Sequence, residues 1–467
     1  MSLWTSEDIS SATGGRVTQS RAVSGISIDT RTLEKGDLFV ALNAVRDGHD
    51  FVLDALEKGA GAVMVSRLPD GLRADAPVIL VEDVQKALEA LAKASRTRSK
   101  AKILAITGSV GKTSTKDMLR TVLEKQGHTH ASVASYNNHW GVPLTLARMP
   151  VETEYGIFEI GMNHPGEIAP LARLVKPDVV LITTVSEAHL EAFGSIEAIA
   201  AEKATIMDGL NTNGTAVLNA DILTKVVLRE MADQIACEQV WFGRGKVDAQ
   251  LTLCETRNDT TYAEINLAGK FLSYELKSLG SHFALNALGA IAASQVLGVD
   301  TDRAAQDMSL WTPVQGRGSR SLVDLSSGSI ELIDDAYNAN PASMAAALQV
   351  LAMSKGERRI AIIGDMKELG TSAEEIHADL AGLDALNEID RLYLVGPLMG
   401  ALYAKLPPNR RGFHVNTAAE IIERQADILK PGDCVLVKAS LGIGLGAVVK
   451  AILQLGQCQG MPVERDI

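Results

Sequence analysis

The chain has 467 residues, of which 46% are hydrophobic and 22% charged, and its formal net charge is −12. This balance is typical of globular proteins and excludes a disordered or fibrous chain, and the negative charge argues against non-specific binding of nucleic acid. The length exceeds that of one ordinary hydrophobic core, so we expect about three domains.

The start of the chain carries Glu7 and Asp8, whereas a secretory signal begins with basic residues followed by an apolar core. No run approaches the roughly 18 uninterrupted apolar residues that span a bilayer. The four cysteines, among them Cys237 and Cys458, contain no Cys-x-x-Cys pair and so give no zinc or redox signature. We therefore expect a cytoplasmic protein with reduced thiols and no membrane span.

Short apolar runs rich in valine and isoleucine recur along the chain and predict buried strands. Segments of helical length, rich in alanine, leucine and glutamate, separate most of them. Strands that alternate with helices indicate parallel sheets covered by helices, so we predict an α/β fold. The predicted strands are 37–42, 62–65, 78–81, 103–107, 179–184, 359–364, 392–396 and 434–438.

Two segments interrupt this pattern and predict domain boundaries. Residues 93–102 contain five basic residues and two serines just before a strong strand. They could form a phosphate-steering patch, but we favour a solvated helix end that leads into a linker. Residues 311–319 contain proline and glycine before a new set of strands. We expect three domains, at residues 1–84, 85–313 and 314–467.

Residues 103–115 carry the sharpest local signal, an apolar strand that runs into a glycine-bearing turn and then a helix. In such a phosphate loop, Gly108 and Gly111 let backbone N–H groups surround phosphate oxygens, and the helix N-terminus adds its positive end. Lys112 would meet the β- and γ-phosphates, and Thr113 would hold Mg²⁺. The loop is short, since Gly108 stands only three residues before Gly111. The alternative is a Gly-Lys-Thr turn that merely opens a helix.

Three further polar residues are candidates for chemistry. Glu159 interrupts a predicted interior strand, where a carboxylate is costly unless it is paired, so it is either a Mg²⁺ contact or a satisfied structural acid. His189 follows the strand 179–184 at the carboxyl end, where α/β sheets place ligands, although a lone histidine is more often packed or exposed. Lys203 lies in a helical stretch, which alone predicts a solvated lysine.

Several motifs together resemble the Mur ligase superfamily, whose short loop has the pattern Thr-Gly-x-x-Gly-Lys-Thr. The branch of that family that adds D-alanyl-D-alanine has signatures similar to Ile-Asp-Asp-Ala-Tyr-Asn-Ala-Asn-Pro-Ala-Ser-Met at 333–344 and Gly-Asp-Met-Lys-Glu-Leu-Gly at 364–370. Residues 47–51 and 137–146 also resemble that branch, so the resemblance covers all three predicted domains. A helix start at Asn340 explains part of the first signature but not the acids before it.

The resemblance implies an N-terminal domain that grips a uridine nucleotide, a central ATPase domain and a C-terminal Rossmann-like domain that closes over the site. It implies Lys112, His189 and Lys203 as catalytic residues, with Lys203 at a position that several members carry carbamylated. It implies Thr113, Glu159 and His189 as Mg²⁺ ligands. The implied ATP contacts are Gly108, Ser109, Val110, Gly111, Lys112, Thr113, Ser114, Asn286, Arg317, Asp334 and Asn338. The implied substrate contacts are Asp29, Thr30, Arg31, Gly48, His49, Asn137, Asn138 and Asn340.

The implied reaction is an ATP-dependent ligation. The terminal carboxylate of UDP-MurNAc-tripeptide would attack the γ-phosphorus of ATP to give an acyl phosphate and ADP, and the amine of D-Ala-D-Ala would then displace phosphate. ATP and Mg²⁺ are the expected cofactors, and the two small-molecule substrates are the expected partners. We expect a monomer that binds no nucleic acid and whose third domain closes to remove the reacting groups from water.

Three alternatives stay open. A folylpolyglutamate synthase-like ligase would use a similar loop but should lack the Asp-Asp-x-Tyr-Asn-Ala-Asn-Pro run of this chain. A guanine-nucleotide switch would need an Asn-Lys-x-Asp motif, and no Asn-Lys pair occurs here. A catalytically impaired homologue retained for binding is the third, because Thr184, Thr205 and Leu441 depart from the family pattern. The third peptide residue is open too, as either meso-diaminopimelate or lysine.

Overall fold

The structure, a computed structural model, describes residues 2–44, 46–133 and 135–457. Within these ranges the strands form one two-stranded ribbon and sheets of five, nine and six strands. The three larger sheets are mainly parallel and covered by helices, because strands and helices alternate along most of the chain. The predicted α/β class is confirmed. Each predicted strand is present, with ends shifted by at most two residues.

The N-terminal part of the chain builds the ribbon and the five-stranded sheet. Its elements are β1 Trp4–Thr5, α1 Ser6–Thr13, β2 Arg16–Val17, β3 Ala22–Val23, β4 Ile26–Ser27, β5 Leu38–Val40, α2 Val52–Glu57, β6 Ala62–Val65, β7 Val78–Leu80 and α3 Val84–Arg98. Strands β1 and β3 pair antiparallel as the ribbon. The sheet has the order β2-β7-β6-β5-β4, in which β4 to β7 run parallel and β2 runs antiparallel.

Helix α3 leads out of the N-terminal sheet and packs against the central part of the chain as well. Asp83 begins it as the N-cap, accepting a hydrogen bond from a backbone N–H in the first turn. Its buried face, which includes Leu88 and Leu91, shares one hydrophobic core with Trp4 and with Ala147 from the central part. The indole of Trp4 also donates a hydrogen bond to the Ala147 carbonyl at 2.8 Å. One face of the N-terminal sheet therefore shares a hydrophobic core with the central part of the chain.

The basic end of α3 is packed rather than solvated at two positions. The guanidinium of Arg96 donates hydrogen bonds to the carbonyls of Val175 and Lys176, each at 2.9 Å. That of Arg98 lies 3.6 Å over the ring of Trp4. The prediction of a solvated helix end is therefore wrong for these two arginines. Their aliphatic side chains and guanidinium groups pack against neighbouring elements.

The central part of the chain forms the nine-stranded sheet. Its elements are β8 Lys102–Thr107, α4 Lys112–Leu123, β9 Thr129–Ala131, α5 Gly141–Ala147, β10 Tyr155–Glu159, α6 Ile168–Val175, β11 Val179–Ile182, α7 Leu190–Phe193, α8 Ile196–Ala204, β12 Thr215–Asn219, α9 Lys225–Ile235, β13 Glu238–Gly243, β14 Ala249–Arg257, β15 Thr260–Leu267, β16 Lys270–Leu276, α10 Ser281–Val296 and α11 Thr301–Asp307. The strand order is β16-β15-β14-β13-β12-β11-β8-β10-β9, parallel except where β15 and β16 extend it antiparallel.

Strand β8 lies inside this sheet, between β10 and β11. Helices α4 and α10 cover one face of the sheet, and α6, α8 and α9 cover the other. Strands β9 and β10 therefore lie on one side of β8, and β11 to β16 lie on the other, so the strand order changes direction at β8. In open α/β sheets, ligands bind at the carboxyl end of the strands beside such a switch point.

The C-terminal part of the chain forms the six-stranded sheet. Its elements are β17 Ser319–Leu325, β18 Gly328–Asp335, α12 Pro341–Met353, β19 Arg358–Gly364, α13 Ala373–Asp379, β20 Arg391–Val395, α14 Met399–Lys405, β21 Arg411–Val415, α15 Ala418–Glu423, α16 Gln425–Ile428, β22 Asp433–Lys438 and α17 Gly446–Gln457. The order is β17-β18-β22-β19-β20-β21, with only the β17–β18 pair antiparallel. Helix α12 begins at Asn340, whose side chain forms a capping box with Ser343.

The three larger sheets occupy residues 16–80, 102–276 and 319–438. The domain boundaries after residues 84 and 313 stay predictions. Within the described residues no helix is both long and apolar enough to cross a membrane. The cysteines in the described ranges are free thiols, whereas Cys458 lies outside them.

Candidate active site

The predicted phosphate loop joins β8 to α4. The strand ends at Thr107 and the helix begins at Lys112, with Gly111 as its N-cap at a left-handed φ of 88°. The ammonium of Lys112 donates a hydrogen bond to the Gly108 carbonyl at 2.6 Å, so the side chain folds back across the loop. Burial lowers the pKa of Lys112, although the negative charge of Glu159 opposes that shift. The helix start presents backbone N–H groups of the kind that bind phosphate.

Two glycines of the loop lie too close to other side chains to carry one of their own. A Cβ atom on Gly108 would lie 2.0 Å from the hydroxyl oxygen of Thr183, and one on Gly111 would lie 2.8 Å from the amide oxygen of Asn286. Asn286, predicted as an ATP contact, is therefore next to the loop. The Thr183 hydroxyl donates to the Val110 carbonyl at 2.6 Å. Sequence reasoning missed this threonine, whose one signal was its place at the carboxyl end of β11.

We expect Gly108→Ala to weaken binding of a non-hydrolysable ATP analogue by about five- to a hundredfold, because overpacking costs about 1 to 3 kcal/mol and displaces Thr183. Isothermal titration calorimetry would measure the affinity. Gly245→Ala is the matched control, since a Cβ atom there has no neighbour within 4 Å. Equal affinities of the two variants would contradict the argument from close packing.

A buried carboxylate lies beside the loop. Glu159, at the end of β10, is 1% exposed. It accepts hydrogen bonds from the Thr113 hydroxyl at 2.9 Å and from the Asn137 amide at 2.8 Å. Both donors are neutral, so neither balances the buried negative charge. Mg²⁺ accepts such carboxylate and hydroxyl oxygens, with phosphate and water oxygens completing its shell. In the described part of the chain no three His, Cys, Asp or Glu side chains cluster as a self-sufficient metal site.

The structure holds His189 and Lys203 in different ways. His189 lines the same cavity as the phosphate loop, and its Nδ1 bonds to the carboxylate of Glu368, in the loop after β19. Lys203, on α8, is 1% exposed, and its amine donates to the sulfur of Met162 at 3.7 Å. Burial, together with the charge of Lys112, lowers the pKa of Lys203 well below its usual value. Lys203 is therefore not the solvated lysine that its helix alone predicted, and burial favours its neutral amine.

The C-terminal sheet supplies the opposite wall of the cavity. The guanidinium of Arg317 donates to the Ser135 hydroxyl at 3.1 Å and lies 4.4 Å over the ring of Tyr337. Asn338 and Asn340, from the segment that leads into α12, line the same wall. Predicted ATP and substrate contacts from the C-terminal part thus face the phosphate loop.

Other polar residues around this wall differ from expectation or were missed. Asp334, predicted as an ATP contact, accepts a hydrogen bond from the backbone N–H of Gly316 at 2.9 Å and so holds a turn. Lys438, which the sequence placed only at the end of a predicted strand, is 1% exposed and pairs with Asp335 at 2.7 Å. Burial and the charge of Lys438 lower the pKa of His282 to about 4. The neutral ring of His282 also lines the cavity.

These elements enclose a cavity of about 270 Å³ between the central and C-terminal sheets. A second cavity of about 640 Å³, beside α3 and α6, shares Asn138 and Glu167 with it. Of the residues predicted in the central and C-terminal parts, Gly108, Thr113, Lys203 and Asp334 do not line the first cavity. Those that do are Ser109, Val110, Gly111, Lys112, Ser114, Asn137, Asn138, Glu159, His189, Asn286, Arg317, Asn338 and Asn340.

The substrate contacts predicted in the N-terminal part lie outside this cavity, at Asp29, Thr30, Arg31, Gly48 and His49. Asp29 and Arg31 form an ion pair at 2.5 Å. His49 is 5% exposed, and its ring bonds to Asp47 at 2.7 Å and to the backbone N–H of Ser66 at 3.0 Å. Both ring nitrogens are thus used within the protein, so the contact of His49 with a substrate, which stays a prediction, would use other atoms of the residue.

A phosphate loop on a parallel sheet, a buried carboxylate beside it and a second α/β sheet across a cavity define a nucleotide-dependent enzyme of the phosphate-loop class. Three family models match the chain. They are the Mur ligase family catalytic domain at residues 22–96, the Mur ligase middle domain at 106–294 and the Mur ligase glutamate ligase domain at 321–441. The chain therefore belongs to the Mur ligase family, as its motifs predicted.

Individual relatives cover almost the whole chain. The UDP-N-acetylmuramoyl-tripeptide--D-alanyl-D-alanine ligase of Rickettsia prowazekii is 34% identical over 449 residues, which are 96% of this chain and 99% of the relative. A crystal structure of MurF from Acinetobacter baumannii matches with a TM-score of 0.83 and 28% identity, covering 97% of this chain and 99% of that one. MurF ligase from Thermotoga maritima in complex with ADP matches with a TM-score of 0.76 and 26% identity, covering 93% and 98%.

Proposed function

We propose that the chain is an ATP-dependent ligase that adds D-Ala-D-Ala to UDP-MurNAc-tripeptide, a step in making peptidoglycan precursors. The main observation behind this proposal is the cavity. It is lined by the phosphate loop and Glu159 on the side of the central sheet and by Arg317 and Asn338 on the side of the C-terminal sheet. Relatives named for this reaction, such as the one at 34% identity, support it. Family membership and the missing Asn-Lys-x-Asp motif speak against the guanine-nucleotide switch.

ATP would bind with its phosphates on the loop. Backbone N–H groups and the ammonium of Lys112 are the donors available there, and the buried setting strengthens each electrostatic contact. Asn286, next to Gly111, would contact the rest of the nucleotide. Arg317, held over Tyr337 on the opposite wall, would add positive charge once the two sheets enclose the phosphates.

The oxygen donors beside the loop fit Mg²⁺. The Thr113 hydroxyl lies 2.9 Å from the Glu159 carboxylate, whose hydrogen-bond donors are neutral. We propose that Thr113, Glu159 and His189 hold the metal together with phosphate oxygens. Bound there, Mg²⁺ would neutralise charge that accumulates on the phosphate oxygens.

Two bond-making steps would follow. The terminal carboxylate of the tripeptide attacks the γ-phosphorus, the bond from that phosphorus to the bridging oxygen breaks, and ADP leaves. Lys112 stabilises the charge on the transferring group. The amine of D-Ala-D-Ala then attacks the acyl carbon, loses a proton and expels inorganic phosphate. Enclosure between the two sheets keeps water from the acyl phosphate, which it would otherwise hydrolyse.

Lys203 has the chemistry needed for carbamylation. Only a neutral amine adds to CO₂, and burial favours the neutral form of Lys203. Addition with loss of a proton would turn it into an anion, which the nearby charge of Lys112 would stabilise instead of opposing. We therefore extend the proposal to a carbamylated Lys203 that supports the metal from behind the cavity lining.

The nucleotide-linked peptide would run from the N-terminal sheet to the cavity. Asp29, Arg31 and Gly48 would bind the nucleotide end, and His49 would join them through atoms other than its ring nitrogens, which hold its own turn. The cavity of about 640 Å³ shares Asn138 with the active-site cavity and so offers room for the peptide beside its reacting carboxylate. The monomeric state, the cytoplasmic location and the domain boundaries stay predictions.

The test is phosphate release from ATP and Mg²⁺ by the purified full chain. UDP-MurNAc-tripeptide and D-Ala-D-Ala are supplied together and each is then omitted, with the tripeptide ending in either meso-diaminopimelate or lysine. We expect release only with both substrates and a pentapeptide product of the matching mass. Tight ATP binding without release for either tripeptide would instead favour the impaired homologue retained for binding.

A further inference from the structure

One histidine–carboxylate hydrogen bond joins the central and C-terminal parts of the chain at the edge of the active-site cavity. The Nδ1–H of His189, immediately before α7, donates to the carboxylate of Glu368, in the loop after β19. The same loop is held by a second contact, in which the backbone N–H of Glu191 donates to the Glu368 carbonyl at 3.2 Å. The link therefore fixes both the side chain and the backbone of Glu368.

Both partners of this pair have an unusual backbone conformation. The φ angle is 61° at His189 and 65° at Glu368, in the left-handed region that non-glycine residues rarely adopt. Such conformations persist where the surroundings over-determine them, and they cluster at functional sites. Here the two strained segments meet each other, one on each side of the junction between the sheets.

This hydrogen bond leaves one ring nitrogen of His189 for a ligand, because a neutral imidazole that donates from Nδ1 has an unprotonated Nε2. Nδ1 is occupied by Glu368, and within the described residues Nε2 has no hydrogen-bond partner. The histidine also lines the cavity that holds the phosphate loop. A metal-binding histidine commonly donates its second ring N–H to a carboxylate, which fixes the orientation of the ring and makes it a better ligand.

We propose that Glu368 is a positioning residue that orients His189 so that its Nε2 faces the divalent cation bound with ATP. The inference rests on the proposed function, since it needs a metal-nucleotide complex in the cavity. Its new element is that the C-terminal part of the chain, through Glu368, completes the metal site of the central part. Metal affinity would then depend on the two parts being together.

The test measures metal binding without ligation. Mn²⁺, a paramagnetic stand-in for Mg²⁺, is titrated into the full chain with a non-hydrolysable ATP analogue, and free Mn²⁺ is followed by electron paramagnetic resonance. We expect Glu368→Gln to weaken Mn²⁺ binding about tenfold or more, the usual effect of losing such an outer partner. The glutamine keeps the size of the side chain, so the fold should be retained. Glu368→Asp, which restores the charge, should recover part of the affinity.

Two further variants separate positioning from a general structural role. Glu375→Gln removes an exposed carboxylate of α13, in the same part of the chain, and should leave Mn²⁺ binding unchanged. In a His189→Ala background, Glu368→Gln should add no further loss, because the residue acts through the histidine. A purely structural role would instead give additive losses in the double variant.

The inference and the proposed function can fail separately. Unchanged or tighter Mn²⁺ binding by Glu368→Gln, or additive losses in the double variant, would overturn the inference even if the wild type makes pentapeptide. A wild type that binds the Mn²⁺ complex but makes no pentapeptide would overturn the proposed function alone. Absence of Mn²⁺-nucleotide binding by the wild type would overturn both.

Discussion

Lys112→Met is expected to lower kcat/KM for ATP about a thousandfold, an effect of the size seen when one preorganised donor to a transition-state charge is lost. The ammonium of Lys112 lies inside the phosphate loop, 2.6 Å from the Gly108 carbonyl, where phosphate oxygens would replace that carbonyl as its partner. Methionine keeps the length and the apolar stem but removes the charge. Phosphate release with both substrates present is the measurement.

A matched lysine tests whether this loss is local. Lys125 is exposed just beyond the end of α4, so Lys125→Met removes one positive charge from the same segment without touching the loop. It should keep kcat/KM within about twofold of the wild type, as surface substitutions usually have little effect. If Lys112→Met kept more than a tenth of the wild-type kcat/KM, the phosphates would have to bind elsewhere.

Lys203→Met should separate function from stability. We expect ligation to fall at least about a hundredfold, because the variant can form neither an amine nor a carbamate. The free energy of unfolding should stay equal or rise by about 1 kcal/mol, since methionine of similar volume replaces a buried amine that, within the described residues, donates only to a sulfur. If Lys203 were needed only for packing, the variant would keep ligation but lose stability.

The pH dependence of stability gives this prediction a second measurement. Burial lowers the pKa of Lys203 in the folded chain, whereas in the unfolded chain the amine titrates near its usual value of 10.5. The unfolded state therefore binds the additional proton, and the contribution of Lys203 to stability rises with pH up to that value. Lys203→Met removes this contribution, so its stability advantage over the wild type should shrink between pH 7 and pH 10.

Urea unfolding at several pH values would measure this difference, with Lys225→Met as control because Lys225 is exposed at the start of α9. The control should keep both ligation and stability, the latter within about 0.5 kcal/mol. Loss of more than about 2 kcal/mol in Lys203→Met together with full ligation would mean that the buried lysine is structural.

The sequence predicted well those features that depend on neighbouring residues along the chain. Strand, tight turn and helix follow one another at 103–115, so the phosphate loop could be located from local pattern alone. Glu159 was recognisable because a carboxylate inside an apolar run needs a partner, and the structure gives it Thr113. Parallel sheets followed from the alternation of strands and helices.

The missed features depend on contacts between distant parts of the chain. Whether a polar side chain faces a ligand or serves its own backbone is decided by packing that no local pattern contains. Asp334 holds the turn at Gly316, and both ring nitrogens of His49 bind within the protein. Likewise, Arg98 is packed because Trp4 reaches it from the first strand, and a run of basic residues gives no sign of that.

The core that α3 shares with its neighbours limits how this protein can be divided. A chain ending at residue 84 would lose Leu88, Leu91 and Ala147, which share a hydrophobic core with Trp4, and would expose that apolar face to water. The N-terminal sheet is therefore not expected to fold as an independent domain when it is cut at that residue. A chimera that takes its N-terminal sheet from a relative would have to take α3 and the segment through α5 as well. That segment contains the phosphate loop between β8 and α4, so the N-terminal sheet and the loop are exchanged, or inherited, with a common piece of chain.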